Sequence, residues 1–98
     1  MKIEELFCVR DKIVLITGGS RGLGEMMARA YVGNGAKVYI SARNAQVCGD
    51  LAKELSTIGE CVGIPAELSK MEEIDRLRDE LSKRENRLDV LINNAGAS

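Results

Sequence analysis

Four short apolar runs punctuate the chain, and none shows the strict alternation of a strand with one wet face. They are Ile13-Val14-Leu15-Ile16, Val38-Tyr39-Ile40, Cys61-Val62-Gly63-Ile64 and Leu88-Asp89-Val90-Leu91-Ile92. Runs of this length, rich in β-branched residues, suit strands covered on both faces, as in a parallel sheet. Between them the apolar positions switch to helical spacing. Leu23, Met26, Met27, Ala30 and Tyr31 predict a helix over about Leu23 to Val32, stopped by Asn34-Gly35. Cys48, Leu51, Ala52 and Leu55 predict a second, capped by Asn44 and closed by Gly59. Met71, Ile74, Leu77, Arg78 and Leu81 predict a third, opened by the capping box Ser69-Lys70-Met71-Glu72. Charged residues fill the rest of that helix, which predicts a solvated face with i,i+4 pairs such as Glu72–Arg76. Pro65 falls at the end of the third strand, where its missing N–H costs least.

The order is β-α-β-α-β-α-β, which predicts an α/β fold with helices on both faces of a parallel sheet. Right-handed crossovers leave the doubly wound strand order 3-2-1-4 as the natural topology, with a switch point between the first and fourth strands. Met1 to Arg10 read as a lead-in, and no linker, repeat or low-complexity stretch divides the chain.

Composition narrows the picture. The chain has 98 residues, which favours one domain, and its 45% apolar and 30% charged content is that of a soluble globular protein. Aromatic residues are only 3%, so aliphatic side chains must build the core. A net charge of −1 offers no electrostatic case for nucleic acid or an anionic membrane. Cys8, Cys48 and Cys61 are odd in number, and there is no histidine. Free, buried or half-buried thiols in a reducing compartment are expected, with no metal site. No apolar run approaches the ~20 residues of a membrane helix. Glu4 and Glu5 do not fit a signal peptide, so a cytoplasmic location is expected.

The candidate chemistry lies in Thr17-Gly18-Gly19-Ser20-Arg21-Gly22-Leu23-Gly24. A strand delivers the chain to this turn and a helix leaves it. The first N–H groups of that helix lack partners within it, and with the helix dipole they form a site for a pyrophosphate. Gly18 permits the tight turn, Gly22 lets the backbone approach phosphate, and Gly24 lets the helix pack closely. The spacing is G-x-x-x-G-x-G, and the strand before it and helix after it are the context that a dinucleotide site requires. A nucleoside-triphosphate loop is excluded by Gly24-Glu25-Met26, because it needs Gly-Lys-Ser/Thr at the helix start.

The end of the second strand bears on which dinucleotide. An acidic residue there would hold the ribose 2′-hydroxyl of NAD, whereas an arginine suits the 2′-phosphate of NADP. The strand ends Ile40-Ser41-Ala42-Arg43, and the next acid along the chain is Asp50. Arg43, with Arg21 approaching from the glycine turn, is therefore the expected phosphate clamp, and NADP is expected over NAD.

The glycine turn and the motif Asn93-Asn94-Ala95-Gly96 together resemble the short-chain dehydrogenase/reductase family of the classical type, from Asp11 onward. The segments Ser41-Ala42-Arg43-Asn44 and Ile64-Pro65-Ala66-Glu67-Leu68-Ser69 look like its 3-oxoacyl reductases, including the rhamnolipid-type branch. The resemblance implies a Rossmann-type sheet. It implies that Ser20, Arg21 and Leu23 meet the cofactor phosphates, and that Asn93, Asn94, Ala95 and Gly96 lie beside the adenosine ribose. It places Glu67 and Leu68 at the adenine, although the family usually has an aspartate where Glu67 stands. It implies an oxidoreductase that reduces a small-molecule carbonyl or a 3-oxoacyl thioester, homo-oligomeric in its longer parent. The family's catalytic asparagine, serine and Tyr-x-x-x-Lys follow the Asn-Asn-Ala-Gly motif. Residues 1–98 are therefore expected to be an incomplete N-terminal NAD(P)-binding segment without catalytic residues. Tyr31 and Tyr39 are expected to be packing residues. The other readings of such a chain are a non-catalytic dinucleotide-binding module or a non-functional truncated product. As a truncated fold it would leave the edge at Leu88 to Ile92 open, an aggregation hazard.

Overall fold

The apolar runs form strands and the periodic segments form helices. A computed structural model describes residues 8–94. Its elements are β1 (Ile13–Thr17), α1 (Gly22–Gly33), β2 (Lys37–Ser41), α2 (Ala45–Leu55), β3 (Glu60–Gly63), α3 (Met71–Arg84) and β4 (Val90–Asn93). The sheet runs β3-β2-β1-β4. Every pairing is parallel, and β1 sits at the centre with Leu15 opposite both Tyr39 and Leu91. This is the expected doubly wound order.

Successive strand side chains point to opposite faces, so β1 feeds two cores. Val14 and Ile16 join Val38, Ile40 and Cys61 against Ala28 and Val32 of α1 and Cys48, Leu51, Ala52 and Leu55 of α2. Ile13, Leu15 and Tyr39 face the other way, against Leu77 of α3 with Ile64 and Ala66. A fully buried aliphatic side chain contributes about 1.5–3 kcal/mol relative to an exposed one. Leu77 is the one fully buried residue α3 supplies, so burial holds α3 far less firmly than α2. Polar anchors add to it. The Tyr39 hydroxyl donates to Glu85 Oε2 at 2.5 Å, and Lys37 Nζ lies 2.6 Å from the same oxygen. Lys37 first, then Tyr39, hold the Glu85 carboxyl below its usual range. Tyr39 is thus a packing residue, and Tyr31 packs half-buried against the α1/α2 core.

Several expectations need correction. The buried stripe of α1 is Gly24, Ala28 and Val32, while Leu23 and Met26 are 59% and 65% exposed. Close contact between Gly24 and the glycine turn fixes the helix's rotation and turns the larger side chains outward. The capping box at Ser69 does not form. Lys70 is the N-cap of α3 and makes no side-chain cap bond, while Ser69 Oγ donates to Glu67 Oε1 at 3.0 Å. The helix therefore begins one residue later than the box requires. Arg76 pairs with Glu73 rather than Glu72, at 2.9 Å. Strand β4 is not covered on both faces: it alternates, with Val90 and Ile92 half-buried and Leu91 60% exposed. Among the described residues it pairs on one side only, so its edge is open as expected. All three cysteines are free, with Cys48 and Cys61 buried but Cys8 exposed. Burial pushes the Cys61 thiol up to about 11 and raises that of Cys48, so both stay protonated at neutral pH. Asn44 caps α2 as expected, its Oδ1 accepting from Val47 N at 3.0 Å.

Candidate functional site

The glycine turn joins the top of β1 to the start of α1. Gly18 has φ +70° and Gly22 φ +61°, conformations that a residue with a Cβ adopts only at a cost. Gly24 is glycine for another reason. A Cβ there would collide with the carbonyl oxygen of Gly18 and come within 2.9 Å of Gly19 Cα. What this glycine approaches is the backbone of the turn itself rather than the strand. Sequence reasoning gave Gly19 no role, yet a Cβ there would lie 3.0 Å from Ile40 Cγ2. The adjacent glycine pair was the available signal.

The turn leaves the start of α1 open. Its N-cap, Arg21, is extended and makes no side-chain cap bond. The first helical bond is Glu25 N to Arg21 O at 3.3 Å. The amides from Ser20 to Gly24 have no acceptor among the described residues. Partnerless N–H groups with the positive end of the helix dipole make an anion site. Glu25 does not oppose it closely, since its carboxylate is drawn back along the helix to Arg29 at 2.9 Å.

Asn93 and Asn94 meet this turn from β4. Thr17 Oγ1 donates to Asn93 Oδ1 at 2.9 Å. The Asn94 amide donates to Thr17 O at 3.1 Å and to Thr17 Oγ1 at 3.2 Å. Thr17 was missed as a site residue, because its role depends on strand register, which pairs it with Asn93. Ala95 and Gly96 lie outside the described residues.

An open cleft of about 1440 Å³ lies over the carboxyl ends of the strands and continues down the sheet face between α3 and β4, past Leu77, Leu81, Leu88 and Leu91. Gly18, Ser20, Arg21, Gly22 and Leu23 line it from the turn, Arg43 from the end of β2, Glu67 and Leu68 from beyond β3, and Asn93 and Asn94 from β4. Gly24 alone of the described candidates stands behind the turn. In open α/β sheets this crevice at the switch point is where ligands bind. Across it Arg43 Nε lies 4.0 Å from Glu67 Oε2. No acid follows Arg43 closely along the second strand; Glu67 arrives from beyond the third. The hydroxyl of Ser41, also in the cleft wall, is buried without a hydrogen-bond partner.

No group of side chains among the described residues could hold a metal ion. No described helix is long and apolar enough to cross a membrane.

Comparison with known proteins gives the geometry its context. The model of the short chain dehydrogenase family matches residues 12–98. The rhamnolipids biosynthesis 3-oxoacyl-[acyl-carrier-protein] reductase of Pseudomonas aeruginosa is 47% identical over 92 residues, covering 94% of this chain and 36% of that protein. A solved Pseudomonas aeruginosa RhlG/NADP active-site complex superposes with a TM-score of 0.83 at 45% identity, covering 87% of this chain and 33% of the other. A short-chain type dehydrogenase/reductase from Mycobacterium marinum superposes with a TM-score of 0.84 at 27% identity, covering 93% and 37%. The chain thus spans about a third of the length of the curated relatives it matches.

Proposed function

The chain belongs to the short-chain dehydrogenase family, and from that premise we propose that it is the cofactor-binding segment of an NADP-dependent oxidoreductase. The observation that carries this reading is the open start of α1 at the cleft wall, where successive amides have no partner among the described residues. They would hold the pyrophosphate, with Gly22 keeping a side chain out of its way and Gly24 letting α1 start close against the turn. Arg43, helped by Arg21, would fork onto the 2′-phosphate. Glu67 and Leu68 would border the adenine, and Asn93 to Gly96 the adenosine ribose. The preference for NADP is supported by Arg43 at the end of β2 and by the likeness to the solved RhlG/NADP complex.

The bound nicotinamide would supply the hydride, and the protein's part is to fix its position. We assign the whole protein the reduction of a carbonyl, with a 3-oxoacyl thioester as the substrate class, on the 47% identity to a 3-oxoacyl reductase. The proton donor and its partner lysine belong, on this reading, to the part of the relatives that the chain does not span.

Titration with NADP and with NAD tests the cofactor assignment. A charge-assisted fork contributes about 1.5–3 kcal/mol, so NADP should bind at least about tenfold more tightly. Equal affinity, or no binding of either, would overturn it.

A further inference from the structure

We propose that Glu67 is a positioning residue for Arg43, and that it thereby strengthens selection for a 2′-phosphate. The inference rests on the NADP reading above and adds to it a residue that acts through the clamp rather than on the ligand.

The Arg43 side chain is 71% exposed, and Glu67 is its one charged partner among the described residues. A long, solvated arginine loses much rotamer freedom when it closes on a ligand. A partner that restricts it beforehand reduces that loss. Glu67 is suited to this because it is itself held at its amide and at its carboxylate. Its amide donates to Glu73 Oε1 at 3.2 Å. Glu73 is fixed by Arg76, which also donates to the Pro65 carbonyl. Glu67 Oε1 accepts the Ser69 hydroxyl at 3.0 Å. That leaves Oε2 turned toward Arg43, and the approach is to Nε at 4.0 Å. Contact at Nε leaves the terminal nitrogens of the guanidinium available for a phosphate.

The same geometry makes Glu67 a poor acceptor for adenine, since one oxygen is engaged by Ser69 and the other faces Arg43. An aspartate, one methylene shorter, would draw the carboxylate back from Arg43. Repulsion between Glu67 and the phosphate works against the effect. A guanidinium engaged with the phosphate would lie between the two, however, and water screens the exposed cleft mouth. The contact is at the outer limit of an ion pair and exposed pairs are weak, so the expected effect is about two- to fivefold.

The test is titration of the chain and its Glu67→Gln, Glu67→Asp, Arg43→Ala and Glu67→Gln/Arg43→Ala variants with NADP and NAD. Glu67→Gln and Glu67→Asp should each weaken NADP about two- to fivefold more than they weaken NAD. In the Arg43→Ala background Glu67→Gln should have no further effect on NADP. Unchanged or tighter NADP binding in Glu67→Gln would overturn the proposal. So would equal weakening of NADP and NAD, which would mark a purely structural or adenine-facing role, or an undiminished effect without Arg43. If the unaltered chain prefers NADP and Glu67→Gln does too by the same factor, this inference alone fails. If the unaltered chain shows no preference, the NADP reading fails and takes this inference with it.

Discussion

The hydroxyl of Thr17 donates to Oδ1 of Asn93 at 2.9 Å, joining two sequence motifs that lie 76 residues apart. The glycine turn and the asparagine pair are thereby one structural unit. Thr17→Val keeps the shape and removes the hydroxyl. Asn93 Oδ1 then loses its donor and Asn94 N one of its two acceptors. The expected loss is about 1–2 kcal/mol, read from the urea midpoint. Thr17→Ser should recover most of it; a Thr17→Val protein as stable as the parent would show the bond to be idle.

Two glycines should respond in opposite directions. Gly24→Ala places a methyl against the Gly18 carbonyl and within 2.9 Å of Gly19 Cα, neither of which can move without opening the turn. A loss of about 1–3 kcal/mol is expected, with cofactor binding lost alongside it. Gly49, inside α2, has nothing within 4 Å of its would-be Cβ. Gly49→Ala should gain about 0.5–1 kcal/mol from helix propensity. Thermal melts of the two variants decide the matter, and a shift of the same sign in both would contradict it.

Ser41 offers a test of the cleft wall. Its buried hydroxyl has no partner, and such a group costs about 1–3 kcal/mol. Ser41→Ala should therefore stabilise the free protein by about 1 kcal/mol. Destabilisation would mean that the hydroxyl has a partner in the folded state.

Acid should weaken the fold in a definite window. Hydrogen bonds from Arg76 and from the Glu67 amide hold Glu73 at about 2. The Ile13 amide and then Arg87 lower Asp89, as Lys37 and then Tyr39 lower Glu85. A carboxyl lowered in the folded state stabilises it above the unfolded pKa and loses that contribution as pH falls through the folded value. Stability should thus fall from about pH 5 down to pH 2. Asp89→Asn keeps an acceptor for the Ile13 amide and removes one titrating group, so urea midpoints at pH 7, 4 and 3 should fall less steeply. An unchanged slope would remove Asp89 from the account.

Most of the fold was legible because it depends on local pattern. The β-branched runs, the glycine stops and the Asn44 cap each specify an element, and right-handed crossover then orders the strands. What the pattern missed depends on contacts that helical spacing does not encode. Met26 reads as core by spacing, yet the collision space around Gly24 turns it to solvent. Ser69 reads as a cap, yet Glu67 lies close enough to take its hydroxyl. At the site, the glycines and Arg43 were visible because backbone geometry and charge demand those residue types. Thr17, Gly19 and Ser41 were not, since their roles arise only once β1, β2 and β4 are in register.

The central claim is that the turn from Gly18 to Gly24 holds a dinucleotide phosphate. Amide chemical-shift mapping during an NADP titration of the chain tests it most directly. The largest shifts should fall on Ser20 to Gly24, with further shifts at Arg43, Glu67, Leu68, Asn93 and Asn94. None should occur at Arg10, Asn34 and Gly35, which line a second hollow on the molecule. Shifts centred on that second hollow, or none at the turn while NADP binds, would contradict the account.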